Sequence, residues 1–96
     1  MPTVFRLTLE KTYYRQGFFN VPVAFDQFVR ATEGPVDLIL GPSGTRIQGK
    51  VDRSANRNGT ARVMGRSTLR DWFQANHAVG DIIDVDLSLM DSIRIG

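Results

Sequence analysis

Cysteine is absent from this chain of 96 residues, and histidine occurs once, at His77. The first absence excludes disulfide frameworks, thiolate metal centres and thiol nucleophiles together. The second leaves no imidazole cluster to anchor a zinc ion. No apolar run approaches the ~18–20 residues a membrane span requires. The opening MPTVFRLTLE lacks a basic region followed by a long apolar stretch, so no signal peptide is expected there. Repeats, low-complexity tracts and linkers are missing too, so residues 1–96 read as one domain. What is present, 42% hydrophobic and 23% charged residues, is a globular balance. These features leave a compact intracellular domain of the cytoplasm.

The net charge of +2 hides an asymmetry. Residues 43–70 carry Arg46, Lys50, Arg53, Arg57, Arg62, Arg66 and Arg70 against Asp52 alone, a balance of +6. Residues 71–96 carry Arg94 against Asp71, Asp81, Asp84, Asp86 and Asp91, a balance of −4. Six of the seven central cations are arginine, whose planar fork of donors fits phosphates and guanine edges better than a lysine ammonium does. A polyanion is the partner this clustering favours over a merely uneven solvated surface.

Alternation over Thr3 to Leu9 predicts a half-buried strand. KTYYRQGFFN, residues 11–20, breaks that pattern and reads as an exposed loop or hairpin tip. In VAFDQFVRAT, Val23, Phe25, Phe28 and Val29 share a face at helical spacing, with Gly34-Pro35 as the stop. Val36 to Leu40 is a short apolar strand, and Gly41 to Gly44 a turn. Thr45 to Val51 alternates again, with Arg46, Gln48 and Lys50 on one face. Asp52 to Gly59 is polar and ends in Asn58-Gly59, which favours a tight turn. Thr60 to Met64 resumes as a strand. Ser67 or Thr68 caps a second helix, with Leu69, Trp72 and Phe73 as its apolar stripe and Asn76 near its end. IIDVDLSL and IRI supply the last strands, separated by a turn at Asp91-Ser92. The whole is mainly β with two short helices, a small barrel or curled sheet.

No catalytic constellation emerges. His77 falls just past the second helix, where a histidine serves the last carbonyls. Ser43 and Ser54 have no neighbouring base in sequence. Asp81, Asp84 and Asp86 invite a metal reading, but on an amphipathic strand they form its solvent side. GPSG lacks the following Gly-Lys-Ser/Thr of a phosphate-binding loop. No cofactor is implied.

Two polar, basic segments remain. In Lys11 to Asn20, Tyr13, Tyr14, Arg15, Gln16 and Asn20 are free to hydrogen-bond, while Phe18 and Phe19 return to the core. Arg53 to Arg66 holds Arg53, Ser54, Asn56, Arg57, Asn58, Thr60, Arg62 and Arg66. Arginine reads guanine, asparagine and glutamine read adenine, and hydroxyls and cations hold phosphates, so this is the vocabulary of duplex recognition.

The succession also resembles the B3-like DNA-binding pseudobarrel, the family of plant B3 domains and of effector domains of bacterial restriction endonucleases. KTYYRQGFFNVPVAFDQFV is similar to the family's first loop, proline and short helix. GPVDLILGPSGTRIQGKV is similar to its central hairpin, and ARVMGRSTLRDWFQANHAVGDIIDVDL to its strand, helix, Gly-Asp turn and strand. Coverage runs over about residues 4–95. Arg46-Ile47-Gln48-Gly49 stands where plant domains carry an aromatic-rich strand, which favours the restriction-enzyme branch over a plant-type transcription factor.

The resemblance implies a seven-stranded open pseudobarrel that grips double-stranded DNA in the major groove by two loop arms, Lys11 to Asn20 and Arg53 to Arg62. It places Arg15, Gln16, Arg53, Asn56, Arg57 and Asn58 near bases, and Lys11, Tyr14, Arg46, Lys50, Arg62 and Arg66 near phosphates, with Asn20 and Ser54 beside them. The acidic last strands then face away from DNA. A non-catalytic target-recognition domain follows, partnered by a nuclease domain of the same full-length chain. Two rivals are a barrel that stacks single-stranded RNA or DNA on Tyr13, Tyr14 and Phe18, and a protein-interaction barrel that meets an acidic partner.

Overall fold

Short alternating runs pair into a single sheet in the computed structural model, which describes residues 3–89 and 91–96. Its seven strands are β1 (Val4–Thr8), β2 (Phe18–Asn20), β3 (Gly34–Leu40), β4 (Thr45–Asp52), β5 (Arg62–Met64), β6 (Ile82–Asp86) and β7 (Ser92–Ile95). Their order across the sheet is β1-β6-β7-β3-β4-β5-β2, antiparallel except where β3 runs parallel to β7. Helix α1 (Lys11–Gln16) and a 3₁₀ helix (Val23–Phe28) flank β2, and α2 (Arg66–Asn76) joins β5 to β6. The sheet curls into a half-barrel, which bears out the mainly β expectation with three short helices instead of two.

Curling brings the two edge strands together. The ring of Phe5 in β1 lies 6.4 Å from that of Phe19 in β2 and 5.4 Å from Phe25 of the 3₁₀ helix. Around them Leu9, Leu38, Leu40, Val51, Val63, Leu69, Phe73, Val85 and Ile95 are fully buried. At ~1.5–3 kcal/mol for each large apolar side chain withdrawn from water, this core is what holds the curl.

The main departure from the sequence reading is at residues 11–20, which form α1 and β2 and not an exposed loop. Tyr13 faces inward, 8% exposed, and its ring meets Phe18 edge-on at 5.3 Å. Gly17 ends the helix in the left-handed region, φ 75°, and its carbonyl accepts from the Gly65 amide at 2.9 Å. A side chain at Gly17 would run into the Arg66 carbonyl and the Arg70 amide, so only glycine lets α1 and α2 approach here. Six residues span under two helical turns, too few for apolar spacing to announce a helix.

Smaller corrections follow from local geometry. The segment after Pro22 is 3₁₀ and stops at Phe28, and Gly34-Pro35 opens β3. With three residues per turn, Phe25 and Phe28 fall on one side and Val23 turns out to solvent, 70% exposed. Neither Ser67 nor Thr68 caps α2; the helix starts at Arg66 with Gly65 as its cap position and no side-chain cap. β5 begins at Arg62, because the Ala61 carbonyl accepts from Val21 at 2.9 Å outside the ladder. β6 stops at Asp86, where the carboxylate takes the Ser88 amide at 2.8 Å, and Ser92 belongs to β7.

Candidate nucleic-acid interface

The loop from Asp52 to Ala61, between β4 and β5, is polar yet tightly built. Arg53 forms its root. Its Nη1 donates to both carboxylate oxygens of Asp26, at 3.0 and 2.9 Å, and to the Gly59 carbonyl at 3.1 Å. Its Nε and Nη2 donate to the Arg30 carbonyl at 3.0 and 2.7 Å, and Nη2 also reaches the Val29 carbonyl at 3.3 Å. The sequence places Arg53 at a base; the structure spends its whole donor fork inside the protein. Asp26 further accepts the Ala61 amide at 2.8 Å, so one carboxylate ties together both ends of the loop.

Other side chains finish the loop. Asp52 Oδ1 accepts the Ser54 amide and hydroxyl, both at 2.8 Å, and the Ala55 amide at 3.2 Å. The Ser54 bonds, led by its hydroxyl, hold the Asp52 carboxyl below the ordinary carboxylate range. Asn58 Oδ1 accepts the Thr60 amide at 3.2 Å and hydroxyl at 2.7 Å. Gly59 takes the positive φ, 76°, expected of the Asn-Gly pair. Asn56 Nδ2 donates to Asn20 Oδ1 and to the Thr60 carbonyl, both at 3.1 Å. Ser54, Asn56 and Asn58 are thus fasteners in this state. Arg57, exposed at the tip, has neither ion pair nor side-chain hydrogen bond among the described residues.

Asn20 links the loop to β2. Its Oδ1 also accepts from Arg62 Nε at 3.2 Å, and the Arg62 guanidinium lies 4.3 Å over the Phe18 ring. A cleft of about 470 Å³ opens between Asn20, Pro22 and Val23 on one wall and Asn56, Arg57 and Asn58 on the other.

The first basic segment meets this region differently. Lys11, Arg15 and Gln16 are exposed on α1, while Tyr14 is half-buried and its carbonyl accepts from Gln74 at 3.1 Å. Tyr13, expected to be free, is a core residue whose hydroxyl is pushed up in pKa by burial. Neither Tyr13 nor Phe18 offers an open face for stacking. Arg46, Gln48 and Lys50 project together from β4, Arg46 in an exposed pair with Asp37 at 3.4 Å. Such pairs contribute ~0–1 kcal/mol and give way readily to a phosphate. Lys50 and Arg66 border a second cleft with Gln48.

His77 and the acidic strands lie elsewhere. The His77 Nδ1 meets Asp81 Oδ2 at 3.3 Å, and its ring packs edge-on against Trp72 at 5.1 Å, in place of the expected contact with helix carbonyls. Asp84 sits opposite Arg6, and Asp86 opposite Arg94, on the strand register. Among the described residues, no group of three His, Asp or Glu is gathered to hold a metal. No helix among them is long and apolar enough to cross a membrane.

Sequence reasoning missed Asp26, the keystone of the loop. Its one signal is a lone acid in the mostly apolar run VAFDQF. No protein-family model and no curated protein matches the chain.

Proposed function

We propose that this domain binds double-stranded DNA sequence-specifically, with the 52–61 loop entering the major groove and no chemistry of its own. The observation that carries the reading is a preorganised loop whose tip arginine has no partner among the described residues. Fixing a loop beforehand removes the ordering cost from binding, and an arginine held at its apex suits the paired acceptors of guanine. Around it, Arg62, Lys50, Arg66, Arg46, Arg15 and Lys11 supply the positive field that draws a phosphate backbone.

On this reading the first arm is rigid α1, which presents Arg15 and Gln16 from a helix and not from a loop. Asn56 donates to a base only by giving up Asn20 or Thr60, because both of its amide protons are engaged, and so the bidentate adenine contact is closed to it in this state. Arg57 is therefore the leading reader. The B3-like resemblance extends the proposal to the target-recognition part of a bacterial, cytoplasmic restriction endonuclease. The burial of Tyr13 and Phe18 weighs against the single-strand stacking rival.

Selection from a randomised duplex pool, with single-stranded RNA as competitor, tests this. Enrichment of one short site is expected, together with a log–log salt slope of about −4.5 for ~5 neutralised phosphates. Absence of enrichment while RNA competes well would overturn the proposal in favour of the stacking barrel.

A further inference from the structure

On the outer side of the sheet, away from the loop tip, β3, β4 and β5 enclose a cleft of about 380 Å³ lined by Gly34, Pro35, Gln48, Gly49, Lys50, Met64 and Arg66. Residues directly opposite on paired strands share a face, so Pro35, Lys50 and Met64 form one row across it. Gln48 precedes Lys50 by two residues on the same face, and Arg66 follows Met64 by two. Arg30 stands at the rim, its guanidinium filling the space beside Gly34 and donating to the Pro35 carbonyl at 2.7 Å. No acid lines the cleft itself; Asp37, opposite Gln48, is taken up by Arg46, and Asp52, two residues after Lys50, is taken up by Ser54 and Ala55, while Glu33 precedes Gly34. Lys50 and Arg66 have no ion pair among the described residues. Two unpaired cations and an amide thus surround a recess whose floor is Gly49 backbone and the Met64 side chain.

We infer that this cleft seats one phosphate group, with Lys50 and Arg66 sharing its charge and Gln48 donating a hydrogen bond. Two cations on a single anion make a stronger, more directional hold than separate contacts. The inference rests on the duplex reading in one respect: there the phosphate belongs to the DNA backbone. Lys50 lies two residues before Asp52 on β4, about 7 Å from the root of the loop. A phosphate held at that distance fixes the register with which Arg57 enters the groove.

The test has two arms, on the whole chain. Inorganic phosphate is titrated while the backbone amide signals of Gln48, Lys50, Met64 and Arg66 are followed by NMR. Saturable shifts are expected in the parent and their loss in Lys50→Gln and Arg66→Gln. Unchanged amide signals in the parent would overturn the seat. In the second arm, duplex affinity is measured against salt. Either single variant leaves one cation on the phosphate and should change the slope little, while the double variant should flatten it by ~0.9, the share of one phosphate. Single variants that each flatten the slope by ~0.9, adding to ~1.8 in the double, would mean two separate contacts and overturn the shared seat. Phosphate-induced shifts without any duplex binding would instead sink the DNA reading and leave the cleft as a site for free phosphate.

Discussion

Asp26 and Arg53, 27 residues apart in the chain, meet at 2.9 Å, with their side chains only 26% and 17% exposed. The pair joins the 3₁₀ helix to the root of the 52–61 loop. Its geometry sets where the loop points before any partner arrives.

Asp26→Ala should therefore cost about 2–3 kcal/mol in chemical denaturation, because it strands a half-buried guanidinium and the Ala61 amide. Partial exposure keeps the value below that of a fully buried pair. A loss within 0.5 kcal/mol would show that the loop holds its shape without the carboxylate.

Arg57→Ala should leave stability unchanged, since its side chain has no hydrogen bond or ion pair among the described residues. On the preferred duplex it should cost ~1–3 kcal/mol and flatten discrimination at one base pair, read by competition binding on point-substituted sites. Equal loss on every sequence would make Arg57 a phosphate contact.

Ser54→Ala removes the main support of the low Asp52 pKa, and the carboxyl should move up toward ~3.9, followed by carbon-detected NMR titration. A folded-state pKa below the unfolded one gives stability that is present above ~3.9 and is lost as pH falls through the folded value. In the variant the Asp52 contribution should shrink, and its acid-side loss should be complete at higher pH than in the parent. An unmoved Asp52 titration would assign its lowered pKa to the backbone amides of residues 54 and 55 and not to the Ser54 hydroxyl.

Arg66 is the single non-glycine residue at positive φ, 54°, among the described residues. Left-handed backbone at a side-chain-bearing residue costs about 1 kcal/mol or more. Arg66→Gly should thus be more stable than Arg66→Ala by about 1 kcal/mol in thermal or urea unfolding, while both lose the cation. Equal stability would show that the first turn of α2 relaxes once the arginine is gone.

Strands were legible in the sequence wherever alternation ran for five residues or more, as in β1, β4 and β6. β2 was not, because three residues cannot display a period of two convincingly, and its Phe18 and Phe19 are both buried, one on each face. The polarity of residues 52–60 announced a functional-looking loop, but polarity cannot tell a side chain aimed at solvent from one aimed at a carbonyl. Arg53 and Arg57 have the same chemistry in sequence and opposite roles in space. That difference comes from Asp26, brought in by the tertiary fold, and no local pattern encodes it.

The register of β1 has a consequence for how the chain comes to be folded. Val4 pairs with Asp86, and β6 is the strand that β1 joins in the ladder. During synthesis the first strand must wait for nearly the last to be made. The hairpin of β3 and β4, joined by a four-residue turn, closes a far smaller loop and has no such delay. Until β6 arrives, the backbone of β1 lacks its ladder partner, although Phe5 already has Phe19 and Phe25 to pack against. Within this domain there is therefore an interval in which β1 has been made but has no ladder partner.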